Sequence, residues 1–387
     1  MRIYLDHNAT TPLDPLVADR MAQAMREVWG NASSVHHFGQ QAKAALDEAR
    51  AAVGDLIGAD ASEIVFTAGG TESDNLAIRG AAEAIAPSGR KHLVTSAIEH
   101  EAVLNTMKAL ARHGWRVTVV PVDASGIVSI DRMRDAISDD TAVVSVMHAN
   151  NEIGTIQPIA EMAALAHERG ALFHTDAVQS AGKIPIDVRT LGVDLLTIAG
   201  HKFYGPKGTG ALWMKRGVRL VPPVTGGKQE RNRRAGTENV PALVGLGVAA
   251  GVAKKKLADE APRLSTLRDR LEAGVLSKVS NTERNGAASP RVPNTTNISI
   301  DRVEAESLLI GLDLAGIAVS SGSACSSGSL EPSHVLKAMG LPHARTLGSI
   351  RFSLGATNTD ADVDRVLDVL PPLVEKLRSL TTVGARK

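Results

Sequence analysis

A lysine that directly follows a buried strand is the feature of this sequence best suited to chemistry. The apolar run Leu195–Ala199 predicts a strand, and Gly200, His201 and Lys202 follow it at a turn. Partial burial lowers the pKa of a lysine, and the neutral amine can attack a carbonyl group to form a Schiff base. A surface lysine at a strand end is the alternative, and this stretch alone leaves both interpretations open.

Two other predicted strand ends carry groups that suit a charged ligand. Gly69, Gly70 and Thr71 join a strand to a helix, where free N–H groups and a hydroxyl suit a phosphate. A plain capping turn is the alternative there. Asp176 ends another strand and could pair with a cationic ring nitrogen, or it could form a metal site together with His174.

His100 and Asn151 follow two more predicted strands. Ligands of α/β sheets bind beyond the carboxyl ends of the strands, so all these groups are expected around one crevice. Pyridoxal 5′-phosphate requires a lysine for the imine, a carboxylate for the pyridine nitrogen and helix-end donors for the phosphate. The combination therefore predicts a site for this cofactor.

Cys325 lies in the serine- and glycine-rich run 320–329, where few side chains could bury it. A lone cysteine is usually a small buried apolar residue, but this setting favours a nucleophile or carrier. No metal site is expected within one chain, because a single cysteine cannot complete a cluster site. Cys325 could serve only as a transient, shared iron–sulfur ligand. Arg351 alternates into an apolar strand and must meet a carboxylate, either that of a substrate or an internal Asp or Glu.

The elements that must position these groups alternate between strands and helices from residue 64 to residue 214. This pattern predicts an α/β fold with a mainly parallel sheet covered by helices on both faces, followed by a smaller α+β domain. We expect an N-terminal arm (residues 1–14) that joins the small domain, a large domain (15–256) and a small C-terminal domain (257–387). A buried helix, Val240–Ala253, and a separate charged helix, Leu257–Val279, are expected on either side of the boundary. The predicted sheet strands are Ile64–Thr67, His92–Ser96, Val117–Pro121, Thr141–Met147, Leu172–Asp176, Leu195–Ala199 and Gly210–Met214.

The composition is that of an ordinary soluble globular protein, with 387 residues, 43% hydrophobic and 22% charged. A net charge of +1 and 3% aromatic residues give no basic surface for nucleic acid and no argument for a membrane. The first residues have no apolar signal core, so a cytoplasmic protein is expected. A basic loop, Gly226–Gly236, has no apolar anchor and is expected to become ordered only against a partner or an anion.

Several longer motifs resemble the pyridoxal-phosphate cysteine desulfurases of the NifS/IscS type, which belong to the class V aminotransferase-like group of fold-type I. The motifs run along nearly the whole chain and include FTAGGTESDNLAIRG, HANNEIGTIQPI, FHTDAVQSAGKIPIDV, AGHKFYGPKGTGAL and SSGSACSSGSLEPSHVL. The resemblance implies an enzyme that removes sulfur from L-cysteine, releases L-alanine and leaves a persulfide on Cys325. It also implies a homodimer and a sulfur acceptor such as an iron–sulfur scaffold protein.

The resemblance also implies a role for each matching residue. Lys202 would hold the cofactor, Cys325 would take the sulfur, and Arg351 would bind the substrate carboxylate. Asn151 would support ring and substrate. The remaining implied contacts are Asp176 with the pyridine nitrogen, Gln179 with the ring oxygen, His100 with the ring face and the protons, and Gly70, Thr71, His201 and the partner subunit's Thr237 with the phosphate.

Two positions depart from the family pattern. Ala199 replaces a serine that usually binds the phosphate, and His7 stands where other residues are common. A selenocysteine lyase or another class V enzyme is the nearest alternative function. A cofactor-free enzyme with Cys325 as nucleophile and a non-catalytic sulfur carrier are two further alternatives.

Overall fold

The computed structural model describes residues 2–286, 290–321 and 332–384. Apart from the irregular turn Gln229–Asn232, the helices of these residues are Pro15–Glu27, His37–Leu56, Gly70–Ile85, Glu101–Ala111, Ile130–Ala136, Ile159–Glu168, Val188–Leu191, Val240–Lys278, Ala305–Leu314, His334–Ala338, His343–Leu347 and Asp360–Gly384. The strands are β1 Ile3–Tyr4, β2 Ile64–Thr67, β3 His92–Ser96, β4 Arg116–Val120, β5 Thr141–Ser145, β6 Leu172–Asp176, β7 Leu195–Ala199, β8 Gly210–Met214, β9 Thr282–Asn285, β10 Thr295–Ile300, β11 Ile317–Ala318 and β12 Ser349–Ser353.

The large sheet has seven strands in the order β2-β8-β7-β6-β5-β3-β4. Strands β3 to β7 pair in parallel, and β8 runs antiparallel to both of its neighbours. Runs rich in Val, Ile and Leu fill the central strands because helices cover both faces of the sheet. The predicted α/β class is confirmed. Strands β2, β3, β6, β7 and β8 have the predicted bounds, whereas β4 is shifted by one residue and β5 ends two residues earlier.

The C-terminal part contains an antiparallel sheet, β12-β10-β9, and a short parallel pair, β1-β11. Ile3 and Leu5 of the N-terminal arm are buried in the same hydrophobic cluster as Phe352 and Leu271. The arm then continues across the large sheet, where the backbone N–H of Thr11 donates to the carbonyl of His201 at 2.9 Å. It therefore contacts both parts of the molecule.

The prediction of two helices around residue 256 is wrong, because Val240–Lys278 is one continuous helix. Lys254, Lys255 and Lys256 lie on exposed turns within it, where lysine is a good helix former. The first half packs into the cluster of the large sheet through Leu246, and the second half packs into the C-terminal cluster through Leu271. The division of the chain at residue 256 stays a prediction. In the part of the chain that the structure describes, no helix combines the length and apolar character needed to cross a membrane.

Candidate active site

A cavity of about 330 Å³ lies at the carboxyl ends of the large sheet's parallel strands. Most of the predicted site residues line it, together with Ala199 and several residues that sequence reasoning did not single out. The predicted ones are Gly70, Thr71, His100, Asn151, Asp176, Gln179, His201, Lys202 and Arg351, and those not singled out are Asn8, Ala9, Asp74, Met147 and Val178.

Lys202 reaches the cavity from the turn after β7 and is half-buried. Its Nζ donates to the carbonyl oxygens of Asn8 at 2.7 Å and Ala9 at 2.8 Å. The N-terminal arm thus passes directly beside the lysine amine. The order of buried strand, turn and lysine is the one that the local sequence predicts.

The helix Gly70–Ile85 begins at the cavity, and no side chain caps its first turn. Its first N–H groups and the Thr71 hydroxyl are therefore available to an anion. Gly69 precedes the helix with φ of 152°, a conformation that favours glycine. A Cβ atom on Gly70 would lie 3.0 Å from Cγ2 of Val178, so glycine allows the helix to approach the segment that follows β6 closely.

Asp176 is buried at the end of β6, and its Oδ1 accepts from the N–H of Val178 at 2.8 Å. Burial raises the pKa of this carboxyl, while His100 and Lys202 nearby lower it. A cationic ring nitrogen placed against Asp176 would favour the ionised form further. Asp74 is buried beside it, and burial and Asp176 raise the pKa of Asp74 well above its usual value.

The alternative metal pair of His174 and Asp176 does not fit the geometry. His174 is fully buried, with Nδ1 at 2.9 Å from the Ser145 hydroxyl and Nε2 at 3.0 Å from the Thr197 hydroxyl. Burial lowers its pKa to about 3, so the ring is neutral. Both nitrogens have hydroxyl partners, which makes His174 a structural residue beneath the cavity.

His100 is the N-cap of the helix Glu101–Ala111, and its Nδ1 accepts from the N–H of Ala102 at 3.1 Å. A backbone N–H can only donate, so the neutral ring carries its hydrogen on Nε2. His100 therefore offers Nε2–H as a hydrogen-bond donor. His201 is neutral near pH 7, because burial and nearby lysines lower its pKa to about 4.

Arg351 lies on β12 and is buried, with a side-chain exposure of 3%. It forms an ion pair with Asp6 at 2.6 Å and also donates to the carbonyl of Asn151 at 3.0 Å. The alternative of an internal carboxylate partner is thus realised, and the partner comes from the arm. Within the described ranges, these bonds use two of the five N–H groups of the guanidinium, so donors remain for a substrate carboxylate.

Thr237 does not line the cavity and is exposed. The basic loop before it is ordered by Glu230, which accepts from Arg50 at 2.6 and 2.7 Å and from the N–H of Phe66 at 2.9 Å. The expectation that the loop needs a partner or an anion to become ordered is wrong for this reason. Glu230 has positive φ, as do the next two residues, and the buried ion pair offsets this strain.

Cys325 lies outside the described residues. The chain before it is held at the cavity, because the N–H of Ser320 donates to the carbonyl of Arg351 at 3.2 Å. The chain after it is held by Ser333, whose hydroxyl donates to the buried carboxyl of Glu152.

Asn8 and Lys183 are two polar residues of this region that sequence reasoning missed. Asn8 is buried, and its groups bond to the large sheet and to the C-terminal part alike. Lys183 donates to Asn8 and to Gln179. The sequence alone shows Asn8 only as an asparagine in the predicted arm and Lys183 only as a lysine after a glycine, and neither pattern indicates a functional site. Neither position follows a predicted strand directly.

The residues that line the cavity fit pyridoxal 5′-phosphate. An uncapped helix end suits the phosphate, a buried carboxylate suits the pyridine nitrogen, and a half-buried lysine suits the aldehyde. The predicted role of each residue stays a prediction.

Comparison with known proteins adds independent findings. The family model described as Aminotransferase class-V matches residues 3–366. The chain is 53% identical to a cysteine desulfurase of Gluconacetobacter diazotrophicus over 381 residues, covering 98% of this chain and 95% of the relative. It is 51% identical to cysteine desulfurase IscS of Methanosarcina thermophila over 385 residues, covering 100% of this chain and 95% of the relative.

Two solved structures share the fold over nearly the whole chain. A NifS-like protein has a TM-score of 0.89 at 36% identity, covering 99% of this chain and 100% of that protein. The structure of SspA in complex with cysteine has a TM-score of 0.80 at 36% identity, covering 92% of this chain and 99% of that protein.

Proposed function

The chain belongs to the class-V aminotransferase family, and from this premise we propose that it is a cysteine desulfurase. The proposed substrate is L-cysteine, and the products are L-alanine and a persulfide on Cys325. The observation that carries the proposal is the convergence of Lys202, Asp176, His100 and an uncapped helix end on one cavity.

In the overall reaction, the carbon–sulfur bond of L-cysteine breaks and a sulfur–sulfur bond forms at Cys325. L-Alanine and the persulfide together contain every atom of the substrate and the thiol. The substrate carbon is reduced while the transferred sulfur is oxidised, so the reaction needs no outside oxidant.

Pyridoxal phosphate, when bound, supplies an electron-withdrawing ring that weakens the bonds around the amino-bearing carbon of the substrate. Lys202 would attach it and Asp176 would face its ring nitrogen. Gly70, Thr71 and His201 would hold its phosphate, and Gln179 its ring oxygen.

The remaining side chains would bind the substrate and move protons. Arg351 would bind the substrate carboxylate through its remaining N–H groups, while Asn151 would support ring and substrate. Lys202, once released, would carry protons at Nζ, and His100 would donate from Nε2. The thiolate of Cys325 would attack the sulfur, and the anchored ends of its segment at Ser320 and Ser333 support this assignment.

We further propose a homodimer in which Thr237 completes the phosphate site of the other subunit. The exposure of Thr237, away from the cavity of its own chain, supports this arrangement. The persulfide sulfur would pass to an acceptor such as an iron–sulfur scaffold protein in the cytoplasm. The division into an arm, a large domain and a small domain forms part of the same proposal.

The test compares the wild-type protein with Cys325→Ser, both loaded with pyridoxal phosphate and given L-cysteine. Wild type is expected to form alanine and a persulfide that a thiol-reactive probe can trap. Cys325→Ser is expected to bind the cofactor and change its absorbance with L-cysteine, yet form no alanine. Normal alanine production by Cys325→Ser would contradict the assignment and favour the selenocysteine lyase alternative, since selenium can leave without thiolate attack.

A further inference from the structure

A second lysine, Lys183, is buried beside the cavity and contacts two of its residues. Only 9% of its surface is exposed. Its Nζ donates to Oε1 of Gln179 at 2.7 Å and to Oδ1 of Asn8 at 3.0 Å. Among the described residues, the partners of this amine are amide oxygens, and no carboxylate forms an ion pair with it. A lysine buried without a counter-ion is costly, so its position calls for an explanation.

The partners of Gln179 fix the orientation of its amide. Its Nε2 donates to the carbonyl oxygen of Asn8 at 3.0 Å, and a carbonyl can only accept. Its Oε1 faces Lys183, and an ammonium can only donate. Burial and the nearby Lys202 and Arg351 lower the pKa of Lys183, but the neutral amine can donate to Oε1 as well.

This orientation leaves one N–H of Gln179 for the cavity. An amide nitrogen carries two hydrogens, and the described partners use one of them. Gln179 itself lines the cavity. If the amide were reversed, its carbonyl oxygen would face the cavity instead and would repel an oxygen of the cofactor ring.

The same lysine also steadies the arm under the reactive Lys202. Oδ1 of Asn8 accepts from Lys183 and from Asn294, while the carbonyl of Asn8 accepts from Lys202 at 2.7 Å. Lys183 is therefore hydrogen-bonded directly to Gln179 and to Asn8, the residue whose carbonyl oxygen accepts from the Lys202 amine.

We propose that Lys183 is a positioning residue that turns the Gln179 amide so that an N–H faces the ring oxygen of the cofactor, and that holds Asn8 beside Lys202. The inference rests on the proposed function, because it requires pyridoxal phosphate in the cavity. A donor at the ring oxygen stabilises its deprotonated form, so the pH at which the visible absorbance of the bound cofactor changes reports the orientation of Gln179.

The main experiment measures this pH midpoint in Lys183→Met, Gln179→Ala and the double variant. Methionine is of similar length, and the neighbouring cavity offers apolar side chains such as Phe203, Leu264 and Leu354. Lys183→Met is expected to raise the midpoint by about one pH unit, because the Gln179 amide is no longer held with an N–H toward the ring oxygen. In the Gln179→Ala background the same change is expected to have little effect. An equal shift in both backgrounds would overturn the inference.

Two control variants distinguish the effect of the hydrogen bond between Lys183 and Gln179 from the effect of a positive charge near the cavity. Lys207→Met removes an exposed cation that also acts on His201, and it is expected to leave the midpoint nearly unchanged. Lys183→Arg keeps the donors and is expected to titrate as the wild type does. A midpoint raised as far in Lys183→Arg or Lys207→Met as in Lys183→Met would overturn the role of the specific contact.

Gln179→Glu tests the orientation without changing Lys183. A carboxylate can accept from Lys183 but cannot donate to the ring, so the midpoint is expected to rise; an unchanged midpoint would overturn the inference. If Lys183→Met is insoluble, Lys183→Leu is measured in its place, with the same expected rise and the same comparison in the Gln179→Ala background. A wild-type protein that does not bind pyridoxal phosphate covalently would contradict the proposed function, whereas normal binding with an unchanged Lys183→Met midpoint contradicts this inference alone.

Discussion

Two regions of the cavity are built in different ways. The floor consists of the residues that follow strands of the large sheet, and the side wall is formed by the N-terminal arm and β12. The floor residues follow the ends of β2, β3, β5, β6 and β7 within a few positions, so the local sequence determines where they lie. The side wall joins Asp6 and Asn8 to Arg351 and Ser353, which are more than 300 residues apart in the chain. The floor is thus fixed by strand order, while the wall depends on buried hydrogen bonds between distant segments.

The largest effect is expected where a second chain would complete the floor. Lys202→Ala and Thr237→Ala are first prepared as homodimers, each badly impaired in alanine formation. An isolated mixed dimer of the two is expected to recover about one working site, because one site then contains both Lys202 and Thr237. A floor complete within one chain would leave neither site intact. No recovery in confirmed mixed dimers would therefore contradict a shared site.

A change of intermediate size is expected in the side wall. Arg351→Lys keeps the charge but loses the planar set of donors, and hydrogen bonds to charged groups contribute about 1.5–3 kcal/mol. We expect KM for L-cysteine to rise roughly 10- to 100-fold with a smaller change in kcat. Arg345→Lys, which alters an arginine bound to Asn285 elsewhere in the C-terminal part, is the matched control. Equal KM values in the two variants would exclude a substrate-binding role for Arg351.

The smallest effect is expected from adding a donor to a floor that already has several. Ala199→Ser places a hydroxyl at a buried position that lines the cavity. The helix end at Gly70 already offers N–H groups, so we expect a gain of about 1 kcal/mol, or roughly fivefold slower loss of pyridoxal phosphate on dialysis. Dialysis of the wild type in parallel gives the reference rate. Unchanged or faster loss would mean that another group already occupies this position.

The same contrast explains what could be predicted from the sequence. Strand ends such as Thr67, Asp176 and Ala199 are marked by apolar runs, and their order along the chain indicates one crevice. The side wall has no such local pattern in the sequence, because the role of Asn8 depends only on hydrogen bonds to residues that are distant in the chain. The anchor of the basic loop was missed for the same reason, since Glu230 pairs with Arg50 from 180 positions away. The helix boundary at 256 failed because a run of lysines was taken for an end.

The continuous helix Val240–Lys278 is roughly 58 Å long and contains one position at which it bends most easily. Pro262 interrupts its hydrogen bonding between the turns that pack on the large sheet and those that pack on the C-terminal cluster. The bending stiffness of a helix is lowest at such a residue. Any movement of the side wall relative to the floor would therefore bend the helix at Pro262. The next residue, Arg263, donates to the carbonyls of Asn358 at 2.7 Å and Gly355 at 3.3 Å. These hydrogen bonds connect the bending position of the helix to the chain just beyond β12, and they would limit how far the helix can bend.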